Sequence, residues 1–302
     1  MKQTDRQISE RRMVIDFIGI GNGRSGSTWI SRCLSQHPEI SFSSEKSRKE
    51  IRFFCVAPNW NNYEKGLDWY LDQFPPYQEG KIRGEFTPEY LCDPESHLRI
   101  KKYFPNVKII ATLRKPSDFV YSWYHFEKLR IYGGGPGSNN FEDLFNRESA
   151  GSEILERGFY YKFLSKYYSV FPKENIHVVL FDDIKNQPLN VARQLYRFLG
   201  ALDDFKPSML EERVNKSKEL KSQALHKAAH KTLKLTETYF KPLFEWLNSN
   251  SLVYRLYKNL NIREKDYAPM GPSLKLKLNE FYKKDICQLE TLLDRDLSSW
   301  LE

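Results

Sequence analysis

The segment from Met13 to Gly19 (MVIDFIG) is a short apolar run closing on glycine, and the chain soon changes to Thr28, Trp29, Ile30, Cys33 and Leu34, apolar at helical spacing. Between the two lies Gly21-Asn22-Gly23-Arg24-Ser25-Gly26-Ser27-Thr28. The order is strand, glycine loop, helix, and Pro38 stops the helix after Gln36 and His37. Val107–Leu113 (VKIIATL) repeats the pattern: a buried-strand run, then Pro116 in a first helical turn and a helix through about Leu129. A third strand reads at Ile176–Phe181, preceded by a helical stretch from Phe159 to Val170 and followed by a helix from Leu189 to Leu199. Strands alternating with helices imply an α/β fold: a single domain over residues 13–302 with a central parallel β-sheet flanked by helices, behind a polar extension at 1–12.

Between these units, Gly133–Asn140 (GGGPGSNN) reads as a flexible loop and Lys216–Lys234 as an irregular basic stretch with little apolar patterning. Loops at 55–80, 130–158 and 203–272 are expected to shape an acceptor site, while Leu278, Phe281, Ile286, Leu289 and Leu293 predict a tail helix that packs back on the core. With 47 Lys and Arg against 39 Asp and Glu, the net charge of +8 favours anionic partners without choosing among them. No nucleic-acid signature is present. The four cysteines (Cys33, Cys55, Cys92, Cys287) lack metal-ligand spacing and read as reduced and structural. No run approaches the ~18 apolar residues of a membrane span, and the polar start has no secretory core, so a cytoplasmic location is the expectation.

A glycine loop between strand and helix is an ordinary turn, or a cradle in which backbone N–H groups and the helix dipole hold an anion. Its spacing matches the triphosphate P-loop at Gly21, Gly26 and Thr28, but Ser27 stands where that motif needs lysine, and the cation sits inside the loop as Arg24. Arg114 follows the second strand at its carboxyl end, where open α/β sheets place ligands, and Ser122 lies eight residues on. That is a little over two helical turns, so an arginine fork and a hydroxyl can converge on a second phosphate.

Gly23-Arg24-Ser25-Gly26-Ser27-Thr28-Trp29 resembles the 5'-phosphosulfate loop of sulfotransferases that use 3'-phosphoadenosine 5'-phosphosulfate (PAPS), and Leu113-Arg114-Lys115-Pro116-Ser117 through Tyr121-Ser122-Trp123-Tyr124 resembles their 3'-phosphate motif. Further similarity runs through Lys49–Phe54, Gly66–Tyr70 and Gly84–Tyr90, most like the heparan-sulfate N- and O-sulfotransferases and their bacterial relatives. The resemblance implies a P-loop nucleotide-kinase-like fold, with Arg24 in place of the usual loop lysine beside the transferring group. Ser25, Gly26, Ser27, Thr28 and Trp29 would take the 5'-phosphate, Arg114 and Ser122 the 3'-phosphate, and Lys216 and Lys218 would close over the nucleotide; adenosine 3',5'-bisphosphate is the product.

Sulfuryl transfer is then an in-line displacement, and because the moving group carries one charge a metal is not obligatory. The acceptor still needs a base. Glu50 holds the position of the family's glutamate in Glu-x-x-Phe-Phe; Glu85 and His125 are the alternatives. Two other functions compete: a magnesium-dependent P-loop kinase or NTPase, with Val178–Asp182 as its metal-holding strand, and a non-catalytic polyanion-binding module. The accepting group is expected to be a hydroxyl, with an amine as the alternative, and its carrier stays open among a small molecule, a glycan, a lipid and a carrier-bound acyl chain.

Overall fold

The structure, a computed structural model, describes residues 14–43, 50–57, 61–129, 140–145, 153–210, 218–241, 243, 251–265 and 267–302. Five strands form one sheet: β1 (Phe17–Gly21), β2 (Ile40–Phe42), β3 (Ile82–Phe86), β4 (Lys108–Leu113) and β5 (Ile176–Leu180). Their spatial order is β2-β3-β1-β4-β5 and every neighbouring pair is parallel, as the alternation of strands and helices requires. Every residue of β1 is buried, and its register sets Ile18 opposite Glu85 on one side and Ile109 on the other. Helix α1 (Ser27–Gln36) leads from β1 to β2 and buries Trp29, Ile30, Cys33 and Leu34. These pack in one cluster with Val191, Leu195 and Leu199 of helix Pro188–Leu199, whose apolar face carries the expected period.

The chain divides into two compact units. The first, residues 1–115, 159–214 and 283–301, holds the whole sheet and its core. A second apolar cluster there is aromatic: Phe53 stacks on Tyr70 with ring centres 4.9 Å apart, and Phe54 meets Tyr90 edge-on at 5.5 Å. The tail helix joins this unit through Ile286 and Leu289, and Asp285 accepts from the backbone N–H groups of Tyr161 and Lys162 at 2.9 and 3.2 Å. The second unit, residues 116–158, 215–282 and 302, contains helices Pro116–Glu127, Gln223–Tyr239 and Ser251–Asn261 and the antiparallel pair Lys218–Leu220 and Ile262–Glu264. Within it the Tyr282 hydroxyl donates to the Leu155 carbonyl at 2.7 Å.

Several expectations need correction. The first strand starts later than Met13 and runs on to Gly21, because Gly21 still pairs with Ala111. β2 and β3 escaped the hydrophobic pattern: β2 has three residues, and β3 (IRGEF) buries Arg83 and Glu85 among its apolar positions. Residues 216–234 are not irregular where described, since Ser222 caps helix Gln223–Tyr239 by accepting from Leu225 N–H at 3.2 Å. Only Thr236 of that helix is buried, so a solvent-facing helix had no apolar stripe to announce it. Helix Gly66–Leu71 likewise occupies part of the 55–80 loop, and of Gly133–Asn140 only Asn140 lies among the described residues. No helix among the described residues is long and apolar enough to cross a membrane.

Candidate active site

β1 hands the chain on toward β2, while β4, its neighbour on the other side, hands it on to β5. The two connections leave in opposite directions, which opens a crevice at the carboxyl ends of β1 and β4. The glycine loop follows β1 and Arg114 follows β4, so the topology brings the two sequence motifs to one edge of the sheet.

The loop is drawn tightly onto the sheet. Asn22 donates its N–H to the Thr112 carbonyl, and the Thr112 hydroxyl donates to the Asn22 carbonyl at 3.0 Å. Gly21 has φ 118°, and a Cβ there would lie 2.2 Å from the Pro88 carbonyl oxygen. Gly26 caps α1 with φ 94°, and Arg24 between them is also left-handed, at φ 61°. No side chain caps α1 and no acidic residue sits in its first turn, which leaves its partial positive end facing the loop. Ser25 and Ser27 are buried, while Arg24 and Thr28 are half-buried. Asp182, the aspartate a kinase would need, lies in helix Phe181–Asn186 past the end of β5 and pairs with Lys185 at 2.9 Å.

Beside the loop, the strap from Glu50 to Phe53 is docked on β3 and the turn that follows. Arg52 has φ 53° and places one guanidinium nitrogen 2.7 Å from Glu50 and 2.7 Å from Glu89. Burial works against the Arg52 charge, but the Glu89 and Glu50 carboxylates outweigh it and raise the pKa above its usual value. Glu85 is fully buried and accepts from the hydroxyls of Thr87 at 2.6 Å, Tyr90 at 2.8 Å and Tyr70 at 3.4 Å. Burial pushes its carboxyl up to about 7, against the pull of those hydroxyls and of the Ile51 N–H. The Arg114 guanidinium lies over the Phe181 ring, 5.0 Å from its centre.

Ser122 and His125 belong to the second unit, on helix Pro116–Glu127. Ser122 is buried, and His125 stacks flat on Tyr267 with centres 4.3 Å apart. Burial, helped by Lys128, pushes its imidazole down to about 4, so it is neutral at pH 7. In the first turn of the same helix the Ser117 hydroxyl is buried and has no hydrogen-bond partner among the described residues, a donor of the kind an anion satisfies. Lys218 pairs through its backbone with Glu264, and Lys216 lies outside the described residues. Sequence reasoning did not single out Arg52 or Glu89, the two residues that meet beside Glu50, although each lies within a motif it used: Arg52 two residues after Glu50, and Glu89 after Pro88.

The model of the sulfotransferase domain family matches residues 15–242. Among curated relatives, the human bifunctional heparan sulfate N-deacetylase/N-sulfotransferase 3 is 28% identical over 63% of this chain, and the membrane-associated sulfotransferase kil1 of Dictyostelium discoideum is 27% identical over 93% of it. The aligned region spans 22% of the human protein and 65% of the Dictyostelium one. The crystal structure of a sulfotransferase from Alicyclobacillus acidocaldarius superposes with a TM-score of 0.65 at 21% identity, covering 96% of this chain and 99% of that one, which is a likeness of fold. With a family match over most of its length and the expected strand–loop–helix at its centre, the chain belongs to the sulfotransferase domain family.

Proposed function

We propose that this chain transfers a sulfuryl group from PAPS to a hydroxyl of a glycan, releasing adenosine 3',5'-bisphosphate. The observation that carries the reading is the crevice between β1 and β4. There a tight glycine loop, a helix start with no acidic residue in its first turn, and two arginines, Arg24 and Arg114, gather the positive charge that an anion calls for. The glycan rests on the relatives, several of which are heparan sulfate enzymes by name.

The donor brings an activated sulfuryl group whose bridging oxygen leaves with the nucleotide. The N–H groups at the start of α1 hold the 5'-phosphate, and Arg24 offsets charge growing on the bridging oxygen. Glu50, held by Arg52, takes the acceptor proton as the new oxygen–sulfur bond forms. Arginine remains protonated throughout, so Arg24 stabilises the leaving oxygen as a fixed charge and hydrogen-bond donor without passing it a proton.

Calorimetric titration with adenosine 3',5'-bisphosphate in EDTA tests the donor. Binding that Arg114→Ala weakens tenfold or more supports it; no binding to the folded chain ends it and makes magnesium-dependent ATP binding the next test. Radiolabelled sulfuryl transfer to de-sulfated heparan, a long-chain alcohol and a carrier-bound hydroxyacyl chain then tests the acceptor, and transfer to either of the last two alone overturns the glycan.

A further inference from the structure

Glu85 has no access to solvent, so an acceptor hydroxyl cannot reach it; yet the segment bearing Glu50 is tied to it. Three successive backbone N–H groups of the strap end on one polar network. Ile51 N–H reaches the Glu85 carboxyl directly. Arg52 N–H donates to the Thr87 hydroxyl at 3.3 Å, and Phe53 N–H donates to the Tyr90 hydroxyl at 2.9 Å. Those two hydroxyls each have a single proton, and each gives it to Glu85, at 2.6 and 2.8 Å. An ionised Glu85 can only accept, so it turns both hydroxyls inward and leaves their lone pairs facing the strap.

The strap needs such an anchor. Arg52 sits at φ 53°, a conformation that costs an ordinary residue energy and persists only where its surroundings enforce it. That backbone carries the guanidinium that grips Glu50 at 2.7 Å. We propose that Glu85 is a positioning residue for Glu50: a buried carboxylate that, directly and through Thr87 and Tyr90, holds the backbone of Ile51–Phe53 and so fixes Glu50 and Arg52 in place. The proposal rests on Glu50 being the base.

The state of Glu85 then matters to the rate. Its carboxyl lies up at about 7, burial being the cause. The other titratable or charged groups acting here are Tyr70 and Tyr90, both raised by burial, with Arg83 acting on Tyr70 and Cys55 on Tyr90. Tyr70 and Tyr90 stay neutral near pH 7, whereas Glu85 changes charge there. A proton on Glu85 must itself be donated, which forces one hydroxyl to turn and to share its oxygen between the acid proton and the strap N–H, a weaker hold. The anchor therefore loosens as the pH falls through about 7.

The test is the full chain carrying Glu85→Gln, an isostere that cannot take every donor the carboxylate takes. Amide hydrogen exchange at Ile51–Phe53 should quicken at least tenfold while α1 is unchanged, and the affinity for adenosine 3',5'-bisphosphate should stay within twofold. The kcat for sulfuryl transfer should fall ten- to a hundredfold, and the fall of wild-type kcat below pH 7 should flatten in the variant. Unchanged exchange and kcat overturn the proposal, and so does nucleotide affinity lost in step with kcat, which is general unfolding. If Glu85→Gln does not fold, Tyr90→Phe keeps the ring and removes the Phe53 anchor: faster exchange at Phe53 with lower kcat supports the proposal, and unchanged values overturn it. Glu50→Gln separates the underlying reading: full activity in that variant removes Glu50 as base, whereas the exchange arm reports on the anchor itself.

Discussion

Arg52 reaches the Glu50 carboxylate at 2.7 Å from a backbone held at φ 53°, and the same guanidinium nitrogen lies 2.7 Å from Glu89. One guanidinium shared by two carboxylates fixes how each is turned, through charge-assisted hydrogen bonds. With Glu50 partly exposed, the pair is worth less to stability than to orientation.

Replacing Arg52 by alanine removes the grip and the charge. We expect kcat to drop about tenfold, because the Glu50 carboxylate is no longer held in one orientation. Arg52→Lys should recover part of the rate, because an ammonium supplies the charge without the planar fork. Unchanged kcat in Arg52→Ala counts against the grip on Glu50 as part of the machinery.

Gly21 and Gly26 differ in what a methyl group would strike. At Gly21 the obstacle is a backbone oxygen of Pro88 at 2.2 Å, which cannot move without the turn it belongs to. At Gly26 it is the tip of Ile184 at 2.5 Å, which can rotate away. Both have positive φ, so each alanine adds roughly 1 kcal/mol of backbone strain. Urea unfolding should therefore rank Gly21→Ala clearly below Gly26→Ala, and both should bind adenosine 3',5'-bisphosphate more weakly.

The two arginines of the crevice should separate by kinetics. Arg114→Ala is expected to raise the dissociation constant of the bisphosphate ten- to a hundredfold, about 1.4–2.8 kcal/mol. Arg24→Gln should chiefly lower kcat, because the charge it offsets appears only as the bridging bond breaks. Equal effects of both on binding alone would assign Arg24 to the resting phosphate.

Asp285 caps a helix to which it is remote in sequence, taking the N–H groups of Tyr161 and Lys162. Asp285→Ala should cost about 1–2 kcal/mol, read as a lower denaturation midpoint with the m-value unchanged. A neutral result would mean that the tail helix contributes nothing to the helix it meets.

Stability should carry the mark of Glu85. Its folded pKa, about 7, stands above the ordinary 4.5, so its contribution is complete below pH 4.5 and is lost as the pH rises to about 7. Across that window wild type should lose roughly 3 kcal/mol relative to Glu85→Gln. Parallel stability curves for the two proteins from pH 4.5 to 7.5 would place the native carboxyl at an ordinary pKa.

The strand–loop–helix at Phe17–Gln36 and the strands at Lys108–Leu113 and Ile176–Leu180 were legible because their signals are local. Strands buried on both faces read as apolar runs, and glycine is needed where φ turns positive, whatever surrounds it. Arg24 and Arg114 could be singled out for the same reason, each being set by its distance from a strand end. β3 was not legible, since Arg83 and Glu85 interrupt its apolar pattern and find their buried partners outside the strand, Arg83 at the Leu71 and Pro75 carbonyls and Glu85 at the Tyr70, Thr87 and Tyr90 hydroxyls.

The sequence by itself determined the α/β class, the anion loop and the family, all of which rest on residues near one another in the chain. Only the tertiary structure decided the order of the strands, the meeting of Glu50 with Arg52 and Glu89, and the enclosure of Glu85 by Tyr70, Thr87 and Tyr90. A carboxylate's role follows from what removes its water and what donates to it. Those neighbours come from separate elements, and no spacing along the chain encodes their approach.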